Sequence, residues 1–197
     1  MLEVRGVTFA YPGCAPLYRD FNLAVEPGER VALVARSGFG KTTLCRLLAG
    51  YELPQKGSVL VDGAPLPRRG VCPVQLVSQH PERTVDPRMR MRNVLAEAGE
   101  APTELLCTLG IQSHWMSRYP HELSGGELQR FCIARALIAR PRYLVADEVS
   151  TMLDAVTQAR IWRVLLEEVA RANAGLVFVS HSPVLTERIA TRVVRLD

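Results

Sequence analysis

The apolar run Val31-Ala32-Leu33-Val34 leads directly into Ala35-Arg36-Ser37-Gly38-Phe39-Gly40-Lys41-Thr42-Thr43, and a helix is expected from Thr42 to Gly50. No other stretch restricts the fold so tightly. A glycine-rich loop between a buried strand and a helix start lets backbone N–H groups close around an anion at the positive end of the helix dipole. Ser37, Gly38, Phe39 and Gly40 form the cradle. Lys41 is expected to reach the β- and γ-phosphates as a point charge, the Thr42 hydroxyl to ligate Mg²⁺, and Thr43 to bond the α-phosphate. One position departs from the G-x-x-x-x-G-K-[ST] pattern, because Ala35 stands where the first Gly belongs. Alanine tolerates positive φ poorly, so this turn either uses negative φ or carries strain of about 1 kcal/mol.

Two further segments fit the same chemistry. Tyr143-Leu144-Val145-Ala146 reads as a short buried strand ending in Asp147-Glu148, an acidic pair at the carboxyl end of a strand, where α/β folds place ligands. Asp147 is expected to hold Mg²⁺ through water, and Glu148 to orient or deprotonate an attacking water. Between the loop and the acidic pair lies Leu123-Ser124-Gly125-Gly126-Glu127-Leu128-Gln129-Arg130. A Ser-Gly-Gly turn at a helix start presents a hydroxyl and bare N–H groups to an anionic phosphate. The helix is expected from Glu127 to Arg140, with Pro141 as its stop.

With these motifs in this order, the chain resembles the nucleotide-binding subunit of an ATP-binding cassette (ABC) transporter over nearly its whole length. The resemblance implies an α/β P-loop NTPase of ABC type: a mainly parallel core sheet flanked by helices, an antiparallel β subdomain and a small helical subdomain. It implies one domain over 1–197, with the β subdomain and P-loop core in 1–78, a helical subdomain with the signature motif in about 80–130, and the rest of the core in 131–197. It also assigns roles that no spacing supplies. Tyr11 matches the aromatic that stacks on adenine, and Gln79 the glutamine that ligates Mg²⁺ and senses the membrane partner. His181 matches the histidine at the γ-phosphate, and Asp154 the loop that crosses a dimer interface.

Finer similarity, in Arg36-Ser37-Gly38, Val85-Asp86-Pro87-Arg88-Met89 and Arg118-Tyr119-Pro120-His121, is to ATPase subunits of dipeptide, oligopeptide and nickel importers. The expected activity is ATP hydrolysis that powers uptake of a small solute. The expected partners are a second ATPase subunit, identical or related, transmembrane permease subunits and, indirectly, a solute-binding protein. In such a pair, each ATP is clamped between the phosphate loop of one subunit and Ser124-Gly125-Gly126 of the other. Two positions depart from the family pattern: Val149 replaces a common Pro and Glu127 a common Gln. The segment from Gln79 to Leu123 is also short for the family.

Composition agrees with this reading. The chain has 197 residues, 48% of them hydrophobic, enough for a sizeable core, and no apolar run approaches the roughly 18 to 20 residues of a membrane span. A cytoplasmic protein, peripheral on the inner face of the membrane, is expected. The net charge of +4 comes from scattered arginines instead of one basic block, so nucleic acid is not an expected partner. An exporter ATPase, or a non-transport ABC ATPase acting on nucleic acid or the ribosome, is the alternative. The latter is disfavoured by the absence of a coiled-coil insertion or a tandem cassette. The five cysteines show no metal spacing and read as reduced, mostly buried thiols. Alternation in Leu2 to Val25 and in Ser58 to Val61 predicts antiparallel strands. Helix is expected over Asn93 to Leu109, broken at Gly99 and Pro102, and over Asp154 to Ala172 with a core stripe of Ile161, Trp162, Leu165 and Val169.

Overall fold

The computed structural model describes residues 1–151 and 153–196. Nine strands and six α-helices are ordered β1 (Leu2–Phe9), β2 (Tyr18–Val25), β3 (Arg30–Val34), α1 (Lys41–Leu48), β4 (Lys56–Val61), β5 (Ala64–Pro65), β6 (Val74–Val77), α2 (Met91–Ala96), α3 (Thr103–Leu109), α4 (Gly125–Ile138), β7 (Tyr143–Asp147), α5 (Ala155–Arg171), β8 (Gly175–Val179), α6 (Pro183–Ile189) and β9 (Arg192–Arg195) among the described residues. They form an antiparallel sheet of order β2-β1-β4-β5 and a parallel sheet of order β6-β7-β8-β3-β9.

The central strands of the parallel sheet read as unbroken apolar runs because both of their faces are covered. Side chains alternate across a strand, so successive residues enter different cores. Ala32, Leu144, Ala146, Leu176 and Phe178 face a core built with α2, α4 and α5. Val31, Leu33, Tyr143, Val145, Val177 and Val179 face a second core that includes Leu44, Cys45, Leu47 and Leu48 of α1 and the apolar side of β1 and β2. The phosphate-loop helix is thereby held between the two sheets. The expected stripe of α5 is buried, with the Trp162 ring edge-on to Phe178.

The broken helix falls as expected into α2 and α3, separated by Gly99 and Pro102. Cations from two other helices hold the carbonyl end of α3: Arg130 Nη1 donates to Gly110 O at 3.1 Å, and Arg160 donates to Thr108 O and Cys107 O at 2.6 and 2.9 Å. This is the favoured charge for a helix C-terminus. Some boundaries shift. Helix α4 begins two residues early, at Gly125, because Ser124 caps it, and it ends at Ile138 before Arg140 turns to φ +49°. Fewer cysteines are buried than expected: Cys45 and Cys132 are buried, Cys72 is half-buried, and Cys14 and Cys107 are exposed. No described helix is long and apolar enough to cross a membrane.

Candidate active site

Four segments that follow parallel strands meet at one edge of the sheet. The phosphate loop follows β3, Gln79 follows β6, Asp147 ends β7 with Glu148 directly after it, and His181 follows β8. Because β7 lies between β6 and β8, with β3 next to β8, residues more than a hundred positions apart converge at the carboxyl ends of the strands.

Within the loop, Gly38 and Gly40 adopt φ +81° and +86°, a backbone that only glycine takes without strain. Nothing lies within 4 Å of the space a Cβ would take at Gly38, so that side of the loop is open to a ligand. The Tyr18 hydroxyl donates to Gly40 O at 2.8 Å and pins the loop to β2, and burial pushes this phenol well above its ordinary pKa. Lys41 is buried, and its ammonium donates to Ala35 O at 2.9 Å and Arg36 O at 3.1 Å. Ala35 is not among the positive-φ residues, so of the two possibilities for this turn the structure takes the unstrained one. The Tyr11 hydroxyl lies 3.2 Å from Thr43 Oγ1, with its ring edge-on to Phe9, so this aromatic stands beside the first turn of α1. Thr42, by contrast, is exposed at that turn.

The acidic pair divides into a buried and a half-buried member. Asp147 is 1% exposed, and burial pushes its carboxyl above the ordinary value, opposed by the Thr42 hydroxyl and reinforced by the neighbouring Glu148 carboxylate. Its Oδ1 atom has no hydrogen-bond partner. A buried carboxylate oxygen left without a donor calls for water or a cation, and the Asp147, Thr42 and Gln79 donor set suits a hard, oxygen-seeking ion such as Mg²⁺.

Glu148 is held from both sides. Gln79 Nε2 donates to its Oε2 at 3.0 Å, and His181 Nε2 lies 2.7 Å from its Oε1. Its backbone is left-handed, at φ +51°. A non-glycine residue held there costs about 1–3 kcal/mol, and such strain gathers at functional sites. The phosphate loop takes the unstrained alternative at Ala35, and left-handed backbone at a non-glycine residue occurs instead at the acidic strand end. Composition gives no sign of it, because left-handed backbone at a glutamate is imposed by the turn out of β7. Val149 is 2% exposed within the core under α4 and α5, which accounts for an apolar side chain at that position.

Other expected site residues stand apart from this cluster. Ser124 Oγ accepts from Glu127 N at 3.3 Å while Glu127 Oε2 accepts from Ser124 N at 2.8 Å, a reciprocal capping box. The Ser-x-x-Glu spacing carried that signal, and the carboxylate of Glu127 has a structural use at the start of α4. Gly125 and Gly126 open α4, and a Cβ at Gly126 would come within 2.9 Å of Leu153. Asp154 caps α5 by accepting from Val156 N and Thr157 N, each at 3.0 Å, and these bonds hold its carboxyl below the ordinary value. Neither Ser124 nor Asp154 has a hydrogen bond to the phosphate loop among the described residues.

A family model described as "ABC transporter" matches residues 18–151. The chain belongs to the ABC transporter family. As an ABC ATPase, it is similar to a nickel import ATP-binding protein of Escherichia coli O6:K15:H31, at 35% identity with 90% of this chain and 74% of that protein covered. It is 33% identical to a probable peptide ABC transporter ATP-binding protein of Sinorhizobium fredii, over 98% of this chain and 63% of that protein. A solved structure described as the ATP binding subunit of an ABC transporter shares the cassette fold, with a TM-score of 0.86 at 23% identity over 98% of this chain and 85% of that one. A dimeric cassette solved in a post-hydrolysis state with ADP and Pi has a TM-score of 0.84 at 22% identity, covering 100% of this chain and 94% of that one. The ABC ATPase binds and hydrolyses ATP, and the convergent strand ends are its candidate catalytic centre.

Proposed function

We propose that this ABC ATPase drives an importer of a small solute, such as a nickel ion, a metal chelate or a peptide, from the cytoplasmic face of a membrane. The observation that carries the catalytic reading is the Glu148 carboxylate, bonded to Gln79 and His181 beside the buried Asp147. In this reading Tyr11 stacks on adenine, and Ser37 to Thr43 wrap the phosphates. Lys41 exchanges its loop carbonyls for phosphate oxygens, a trade between acceptors that costs little. Thr42 and Gln79, and Asp147 through water, would hold a Mg²⁺ ion, which when bound would supply neutralisation of phosphate charge. Glu148 accepts a proton from the attacking water, and His181 contacts the γ-phosphate.

Ser124, Gly125, Gly126 and Glu127 lie outside this cluster and serve a nucleotide held by a second ATPase subunit, with Asp154 in the loop between the two. Because ATP would contact both subunits only in the closed pair, its hydrolysis removes the interaction that favours closure. Transmembrane permease subunits would receive that motion, and a solute-binding protein would deliver the cargo. Import of nickel or peptide is favoured by the relatives' described roles at 30–35% identity over 90–100% of this chain. The test is hydrolysis in vesicles that hold the chain with its permease. Addition of solute-loaded binding protein is expected to raise turnover severalfold, and stimulation only by a solute inside the cytoplasmic compartment would indicate export.

A further inference from the structure

Helix α4 carries the signature turn at one end and grips the segment after β6 along its side. Gln129, Cys132 and Arg135 recur every three residues, so they share one helix face. The carbonyls they reach also recur every three residues. Gln129 Nε2 donates to Ser78 O at 3.2 Å, Cys132 Sγ to Pro81 O at 3.9 Å and Arg135 Nη2 to Thr84 O at 2.7 Å. The Thr84 hydroxyl adds a contact of 3.4 Å to Cys132 Sγ. The backbone from Ser78 to Thr84 is therefore fastened to α4 by side chains, independently of its continuity with β6.

The rung at Gln129 differs from the other two. Gln129 is 3% exposed, and its Oε1 has no partner. A buried amide left half satisfied is costly, and packing alone would be served better by an apolar side chain. Its one bond goes to the carbonyl immediately before Gln79, whose own side chain holds Glu148 Oε2. We propose that Gln129 is a positioning residue that sets Gln79 against Glu148 from the signature helix. Displacement of α4 at Ser124 would then be felt at the Glu148 carboxylate through one buried amide. This rests on the reading of Gln79 and Glu148 as parts of the hydrolytic site.

The test compares ATP binding and steady-state hydrolysis by the purified chain in Gln129→Met, which keeps the bulk and loses the donor, Gln79→Ala and the double variant. Gln129→Met is expected to lower kcat roughly tenfold with KM within about twofold of wild type, because misplacement of a catalytic neighbour acts on the reacting geometry more than on binding. In the Gln79→Ala background the same substitution is expected to add nothing, since the residue it positions is gone. Gln129→Asn, a methylene shorter and still polar, carries the same comparison if the methionine variant does not fold. Losses that multiply in the double variant, a loss that tracks melting temperature, or full kcat in Gln79→Ala would overturn the proposal. Glu148→Gln measured in parallel separates the two ideas: if it retains turnover, the catalytic reading fails, whereas multiplicative losses at 79 and 129 remove only the positioning role.

Discussion

At the scale of single residues, the site stores its cost in the acidic pair. Glu148 is held at φ +51° between Gln79 and His181, and Asp147 is buried with one oxygen unpaired. Glu148→Gln keeps the shape and removes the proton acceptor, so hydrolysis is expected to slow about 10²- to 10⁴-fold with ATP affinity retained. Single-turnover hydrolysis beside nucleotide-binding titration measures both, and near-wild-type turnover would remove Glu148 from catalysis. Asp147 makes a prediction in the opposite sense. Its folded carboxyl titrates above the ordinary 3.8, so the folded chain holds that proton more tightly than the unfolded chain. This stabilisation is complete below the unfolded value and is lost as pH rises through the folded one. Asp147→Asn is therefore expected to raise the melting temperature of the nucleotide-free chain at neutral pH, to flatten the decline above pH 3.8, and to abolish Mg²⁺-dependent hydrolysis. Melting curves across that range would expose the error if the asparagine variant were less stable at neutral pH.

At the scale of elements, the antiparallel sheet depends on one close approach. Strand β1 changes register against β2 between Val4 and Val7 and against β4 between Arg5 and Thr8. Gly57 of β4 meets that irregularity at φ +80°, where a Cβ would collide with the backbone carbonyls of Arg5 and Gly6. Backbone cannot move aside as a side-chain tip can, and the left-handed φ adds its own penalty. Gly57→Ala is expected to cost more than about 2 kcal/mol, at the upper end for a single methyl group. Chemical denaturation would contradict this if the midpoint were unchanged. The capping boxes and N-caps belong to this scale too. Ser-x-x-Glu at 124–127 is a local spacing that could have signalled its cap, whereas nothing local marks the Ser150 hydroxyl. It accepts from Gln158 Nε2 at 2.9 Å and Trp162 Nε1 at 3.1 Å, ordering the turn that leads to Asp154. Both donors are far enough along α5 that only the folded helix brings them to Ser150.

At the scale of the whole molecule, the proposed function makes the phosphate loop and the Ser124 turn two half-sites on one chain. Lys41 closes the loop, bonded to Ala35 O and Arg36 O, while the Ser124 hydroxyl is bonded only to Glu127 N among the described residues. If the halves are completed by a second subunit, substitutions in them must fail differently. Lys41→Ala is expected to weaken ATP binding to the isolated protomer, whereas Ser124→Arg leaves that binding within about twofold and blocks ATP-driven dimerisation by bulk at the interface. Sedimentation with and without ATP, in the Glu148→Gln background to hold the pair closed, measures the second effect. Loss of nucleotide binding by a correctly folded Ser124→Arg protomer would contradict the assignment across the interface.

The order of motifs, the phosphate loop between strand and helix, and the acidic end of β7 could be read from the chain because each is local. Glycine spacing and apolar runs are written in consecutive residues and mark the phosphate loop and the acidic strand end, whereas the ABC fold and the roles expected of Tyr11, Gln79, His181 and Asp154 came from the resemblance that the order of motifs carries. The register of the β1 irregularity, the left-handed turn at Glu148 and the contacts that join Gln79, Glu148 and His181 were decided by tertiary structure. Parallel strands bring together residues from β6, β7 and β8 that have no sequence proximity. The same holds for Gln129. Nothing about a glutamine in a helix announces a bond to Ser78 O, because that contact exists only once α4 is laid against the segment after β6.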